Sequence, residues 1–236
     1  MLTILSSIFI LENLNDMPTS KQLNLLIKSA REATPKRNFK QSVELTLLLK
    51  DIDVKKGFNF NEVVSLPHKP SQSATICVVA SGNMGTRAHR AGINRIIEPE
   101  ELDRISTNKR EARKISRAYK FFLSDTALMP TVGRSLGQFL GPKGKMPTPL
   151  PYGAPIEAIA DRLRNSVRVR TKNQLNISVK IGDEEMDDDQ LAVNANAVIA
   201  MLEKKLPQGE KNIRNITVKL TMGKAAKLTA IKGEDR

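Results

Sequence analysis

Cysteine, histidine and tryptophan are nearly missing from this chain of 236 residues, and each shortage excludes something. One cysteine, Cys77, cannot build a disulfide framework, and such a count fits a reducing compartment. Cys77 sits in the apolar run Ala74-Thr75-Ile76-Cys77-Val78-Val79-Ala80 and reads as core. The two histidines, His68 and His89, make no pair with metal-ligand spacing, so neither a metal nor a cofactor is expected. Tryptophan is absent and tyrosine occurs twice, which excludes aromatic platforms as the main way of reading bases. No apolar stretch has the length of a membrane span, so no membrane partner is expected. Residues 1–11 are apolar but short, and lack the basic start and small-residue cleavage site of a signal peptide. Residues 1–16 therefore read as an extension, or as a misassigned start ahead of Met17.

Positive charge is what the chain has in excess. Lys plus Arg number 38 against 25 Asp plus Glu, giving a net charge of +13 and a pI near 9.9. The surplus is spread: residues 17–69 carry +5, residues 70–162 carry +6, residues 163–236 carry +4 and residues 1–16 carry −2. Such a spread suits several contacts along a large polyanion better than one substrate pocket. An anionic membrane surface and a merely soluble basic protein are the competing readings.

Hydrophobic periodicity divides the chain into two kinds of segment. Residues 19–33 read as an amphipathic helix capped by Thr19 or Ser20, with Leu23, Leu26, Ile27 and Ala30 on one face. Residues 42–50 alternate as a strand, a loop with Gly57 follows, and a second strand lies near Val63-Val64. From residue 74 strands and helices alternate. Residues 74–80 read as a buried parallel strand, followed by a Gly-containing turn, a short helix and a strand at 95–98. Pro99 opens a helix of about twenty residues, 119–124 is a strand, and Leu128, Val132, Leu136 and Leu140 mark another helix. Residues 141–155 hold five prolines and three glycines and form a loop or hinge. After a helix over 156–165, residues 167–171 and 175–181 are expected to pair as strands. The acidic run 183–189 reads as a solvated turn before a helix from about 190 to 205, and strands over 213–222 and 226–231 finish the chain. The fold class is α+β. A discontinuous two-layer α/β-sandwich domain (17–69 and 163–236) is interrupted by an inserted Rossmann-like α/β domain (70–162).

No catalytic constellation is visible. No serine sits in a nucleophile elbow, and Gly141-Pro142-Lys143-Gly144-Lys145 fails the phosphate-loop pattern in both its glycine spacing and the Met146 that follows the lysine. Lys143 and Lys145 can still meet backbone phosphates. Gly82-Asn83-Met84-Gly85 matches a GxxG by two glycines only and reads as a turn. Arg110, Arg113, Lys114 and Arg117 share one face of a helix, which is either simply solvated or turned to a polyanion. Two further segments stand out. Phe39 is an aromatic in the basic loop Lys36-Arg37-Asn38-Phe39-Lys40-Gln41-Ser42, and Thr221-Met222-Gly223 closes a strand. Each is either a turn with a core anchor, or a contact where hydroxyls and bare backbone meet the ribose groove of RNA.

Residues 121–151 (FFLSDTALMPTVGRSLGQFLGPKGKMPTPLP), with Asn38 to Val43, Val64 to His68 and Thr221 to Gly223, resemble the ribosomal protein L-one family, the stalk proteins of the large subunit, in its archaeal branch. The resemblance runs from about Met17 to residue 231. It implies a discontinuous domain that binds an rRNA stalk and an inserted domain that swings on a two-stranded hinge. It implies the large ribosomal subunit, its rRNA and exit-site tRNA as partners, help in releasing deacylated tRNA, and repression of the protein's own mRNA. A cytoplasmic protein, monomeric when free, goes with it. Phe39 and Ser42, flanked by Lys36 and Lys40, match one side of the family's RNA surface, and Thr221, Met222 and Gly223 match the other. Arg168 and Lys172 are the expected phosphate contacts. Two positions depart from the family: Lys224 stands where proline often follows the triplet, and Asn215 replaces a serine while keeping a donor and an acceptor. The alternative from another class is a nucleotide-using enzyme built on the insert, which would bind ATP or NAD.

Overall fold

The computed structural model describes residues 19–52, 60–151, 153–171 and 174–229. Residues 1–16, the Gly57 loop, Lys172 and the end of the last expected strand lie outside these. The first elements are α1 (Ser20–Glu32), β1 (Ser42–Leu49) and β2 (Asn61–Ser65). Then come β3 (Ile76–Val79), α2 (Gly82–Arg90), β4 (Arg95–Ile97), α3 (Pro99–Thr107) and α4 (Lys109–Ala118). β5 (Phe121–Asp125), α5 (Met129–Leu140), β6 (Thr148–Leu150), α6 (Ile156–Arg164) and β7 (Ser166–Arg170) follow. β8 (Asn176–Asp183), α7 (Asp188–Lys205), β9 (Ile213–Leu220) and β10 (Ala226–Thr229) complete the set. They fall into two compact units, one from the chain ends (19–52 with 174–229) and one from the middle (60–171).

The discontinuous unit is an antiparallel sheet in the order β10-β9-β1-β8, with α1 and α7 packed together on one face. The period-two pattern places Val43, Leu45, Leu47 and Leu49 of β1 inside, and Leu23, Ile27 and Ala30 of α1 and Leu191, Val198 and Ile199 of α7 are buried in the same unit. Each fully buried aliphatic side chain of this set contributes roughly 1.5–3 kcal/mol. Thr19 caps α1, and its N–H donates to Gln22 Oε1 at 3.0 Å. At the other end Arg31 clamps the acidic turn. Its Nη1 donates to the Glu184 carbonyl at 2.9 Å, its Nη2 to the Met186 carbonyl, and its Nε faces Asp188 Oδ1 at 2.9 Å. The turn is thus less solvated than its composition implies, and Asp183 is itself buried beside Lys180. Arg31→Ala is expected to lower the stability of this unit by about 2 kcal/mol, because two charge-assisted bonds are lost. Urea unfolding measures it.

In the inserted unit the parallel sheet runs β4-β3-β5-β6. One face packs Ile76, Val78, Phe121 and Leu123 against Met84, Ala88, Ile156 and Ala160. The opposite face packs Val79 and Phe122 against Leu102, Ile105, Ile115 and Leu136. Cys77 is fully buried on that face, and burial pushes its thiol up to about 12.

Several sequence expectations need correction. The strands over 167–171 and 175–181 do not pair with each other. β7 pairs with β2, while β8 pairs with β1. The two are close in sequence like a hairpin, but the chain passes between units there. The β2–β7 ribbon also belongs to the inserted unit, where the sequence boundaries at 69/70 and 162/163 assign it to the discontinuous one. The reason is local: among the described residues the ribbon has no other strand neighbour, and Val63 packs against the insert's core. The long helix from Pro99 breaks at Asn108. Ser106 and Thr107 hydroxyls bond back to the Asp103 and Arg104 carbonyls, and the Asn108 side chain accepts from the Arg110 and Glu111 N–H groups, starting a new helix. Gly82 to Gly85 is the first turn of α2, not a free turn, with Gly82 at φ +54°.

Candidate nucleic-acid interface

The start of β1 and the end of β9 are neighbours, because Val43 stands opposite Leu220. This brings the two singled-out segments together. The Thr221 N–H donates to the Ser42 carbonyl at 3.0 Å, and the Ser42 N–H donates to Thr221 Oγ1 at 3.1 Å. The Thr221 hydroxyl donates to the same Ser42 carbonyl at 3.2 Å. Gln41 completes the join: its Oε1 accepts from the Met222 N–H at 3.2 Å, and its carbonyl accepts from the Glu184 N–H at 2.9 Å. Phe39 and Met222 then lie on the two chain segments so joined, exposed at 51% and 58%. Neither is a core anchor, so that alternative is removed for these two side chains.

Gly223 has a different reason from the one expected. A Cβ there would stand 2.1 Å from Thr34 Oγ1 and 2.9 Å from Thr34 Cγ2. The bare backbone is needed so that the strand end can pass Thr34, two residues beyond α1, whose hydroxyl donates to the Ala30 carbonyl at 2.6 Å. Thr221 likewise uses its hydroxyl within the chain, with one lone pair left over. Thr34 and Gln41 are the structural residues that sequence reasoning missed. Gln41 was findable, since it shares the odd-numbered, inward parity of Val43, Leu45 and Leu47 and is 2% exposed.

Charge is arranged unevenly around this surface. Lys36 is exposed. Lys40 contacts Glu185 at 2.8 and 2.9 Å, and this hydrogen-bonded carboxylate holds its ammonium above the usual lysine value. Asn215 shares the outward face of β9 with Thr217, Lys219 and Thr221. Six residues of strand put it roughly 20 Å from Thr221. A single surface including both must run along the sheet face, where Thr46 bonds Ser178 at 3.2 Å and Lys219 meets Glu44 at 3.3 Å.

The expected phosphate contacts on β7 and the glycine-rich loop are arranged otherwise. Arg168 belongs to the inserted unit and is half-buried. Its Nη1 donates to the Gly144 carbonyl, and its guanidinium lies over Phe121 at 5.2 Å. Burial, then Arg170, lowers its pKa. Arg170 Nη1 donates to the Pro142 carbonyl at 2.9 Å, and Asn61 Nδ2 to that of Gly144 at 3.1 Å. Gly144 turns the loop at φ +64°, a conformation that disfavours other residues. Lys143 donates to Ser116 Oγ, while Lys145 donates to the Ser116 and Tyr119 carbonyls at 3.0 and 2.7 Å. Burial and then Lys143 lower the Lys145 pKa. These lysines tie the loop to the end of α4, so they are not free phosphate ligands. Arg110, Arg113, Lys114 and Arg117 are exposed on α4, together with Lys109. Lys172 lies outside the described residues.

Among the described residues no cluster of His, Cys, Asp and Glu fits a metal ion, and no helix is long and apolar enough to cross a membrane. The closely related chains are ribosomal. A protein of Cenarchaeum symbiosum named "Large ribosomal subunit protein uL1" is 54% identical over 202 residues, covering 86% of this chain and 93% of its own. Proteins of the same name from Thermofilum pendens and Methanospirillum hungatei are 44% and 40% identical over 206 and 203 residues. Each match covers 86% of this chain, with 91% and 94% of the relative. Residues 27–224 match a family spanning both units, and the chain belongs to the Ribosomal protein L1p/L10e family.

Proposed function

We propose that this chain is a non-enzymatic component of the large ribosomal subunit in the cytoplasm, and that its discontinuous unit binds an rRNA stalk. The observation that carries the reading is the pair of exposed apolar side chains, Phe39 and Met222, on two segments locked together by Ser42, Thr221 and Gln41. Isolated apolar residues on a basic, rigid frame suit ribose and base faces, while Lys36 and the wider charge surplus hold phosphates. Asn215 extends the surface along the sheet. Lys172 and Arg168, which belong to the inserted unit, remain proposed phosphate contacts of that unit. The insert's parallel order β4-β3-β5-β6, with helices on both faces, supports a Rossmann-like reading. The proposal extends to assistance in exit-site tRNA release and to repression of its own mRNA, the latter through the same surface, as the resemblance to the family implies. The free protein is a monomer on this account.

Binding of a stalk rRNA fragment tests the reading. If roughly five phosphates are neutralised, the logarithm of affinity falls with that of salt with a slope near −4. Filter binding across a salt series measures this, and a flat response refutes the electrostatic part. The mRNA leader, measured alongside, is expected to compete for the same site. Failure to compete would remove autoregulation from the proposal.

A further inference from the structure

The basic face of α4 lies outside the surface just described and makes a site of its own. Ala112, Ile115 and Ser116 bury one side of the helix, which forces Lys109, Arg110, Arg113, Lys114 and Arg117 outward. These five cations, with Ala118, line a single open groove. The helix has one acidic residue, Glu111, and its partner at 3.9 Å is Arg104, outside the groove. Among the described residues none of the five is paired with a carboxylate. Arg113 is steadied over the Phe139 ring at 6.0 Å.

The helix terminus strengthens the field. The carbonyls at the end of a helix carry partial negative charge, which would repel a polyanion. Here Lys145 donates to the Ser116 and Tyr119 carbonyls, and Lys143 to Ser116 Oγ. The negative end is therefore covered by cations. Arg110, Arg113, Lys114 and Arg117 recur with the helical turn of about 5.4 Å, a step comparable with that between successive phosphates of one strand. Three of the five are arginines, suited to bidentate phosphate contacts. The residues lining the groove include no aromatic, and the neighbouring Phe139 ring faces Arg113, so the groove itself lacks the platform on which single-strand binders stack bases.

We infer that the α4 face is a second RNA site, which grips the phosphate backbone of a double-helical RNA without reading its sequence. It is independent of the Phe39–Met222 surface. The test uses the full chain and an RNA duplex of arbitrary sequence, two helical turns long. The triple variant Arg110→Gln, Lys114→Gln, Arg117→Gln changes exposed side chains only. It is expected to bind the duplex about 10-fold more weakly and to lose about 2 from the salt slope. Lys21→Gln with Lys28→Gln removes exposed cations from α1 and is expected to leave duplex binding intact, which separates this site from a general loss of positive charge. Unchanged duplex affinity in the triple variant would overturn the inference. So would a wild-type preference for single-stranded RNA or for polyglutamate over the duplex. Arg110→Lys with Arg117→Lys keeps the charge, so it is expected to keep the wild-type salt slope while losing part of the affinity with the bidentate contacts; a slope that falls as in the triple variant would count against the inference.

Discussion

Gly223→Ala is expected to lower the stability of the discontinuous unit by about 2 kcal/mol, as overpacking in a tight contact does. The added methyl would meet Thr34 Oγ1 at 2.1 Å, and Thr34 cannot turn away without losing its bond to the Ala30 carbonyl. Thr34→Ala alone should cost about 1 kcal/mol, the value of that bond. In the double variant the two nearest clashes are gone, and Thr34 Cβ stands at 3.0 Å. The combined cost is therefore expected to be smaller than the two single costs added together. Urea unfolding of the four proteins measures the cycle. Strict additivity would show that Gly223 does not press on Thr34. Any loss of RNA binding in Gly223→Ala should recover with Thr34→Ala, because the glycine shapes the surface and need not touch RNA.

Met222→Asp should act in the opposite way, weakening stalk binding by roughly 100-fold while leaving the unfolding midpoint in place. Its side chain is exposed, so folding loses little, but a carboxylate facing phosphates costs several kcal/mol. Phe39→Ala removes a ring that can stack, worth about 1–3 kcal/mol of binding. Thr221→Ala divides differently: its hydroxyl bonds Ser42 both as donor and as acceptor, so about 1 kcal/mol of stability goes with it. Filter binding together with thermal unfolding separates these effects. Equal affinity for wild type and Met222→Asp would remove the proposed surface.

Much of this was legible in the residues. The alternation of Val43, Leu45, Leu47 and Leu49 and the face formed by Leu23, Ile27 and Ala30 give the inner layer, because burial imposes those periods. The apolar run 74–80 became a parallel strand for the same reason. What failed was partnership at long range. Nothing local tells β7 that it pairs with β2 rather than with β8, since both choices satisfy its own alternation. The break at Asn108 was visible in Ser106-Thr107-Asn108, whose side chains compete for backbone groups. Phe39 stands out in the sequence as an aromatic in a basic loop and Met222 as a bulky side chain beside a bare backbone, and both side chains are exposed. The internal bonding of Lys143, Lys145 and Arg168 was not legible, because a lysine on a glycine-rich loop has the same sequence whether it meets a phosphate or a helix end.

The most direct check on the central claim is sedimentation with large ribosomal subunits, followed by chemical probing of their RNA. The wild-type chain is expected to travel with the subunits and to protect one stem, and Met222→Asp to leave that stem exposed. A wild-type chain that sediments free, or a Met222→Asp chain that protects the same stem equally well, would contradict the assignment of RNA binding to the Phe39–Met222 surface.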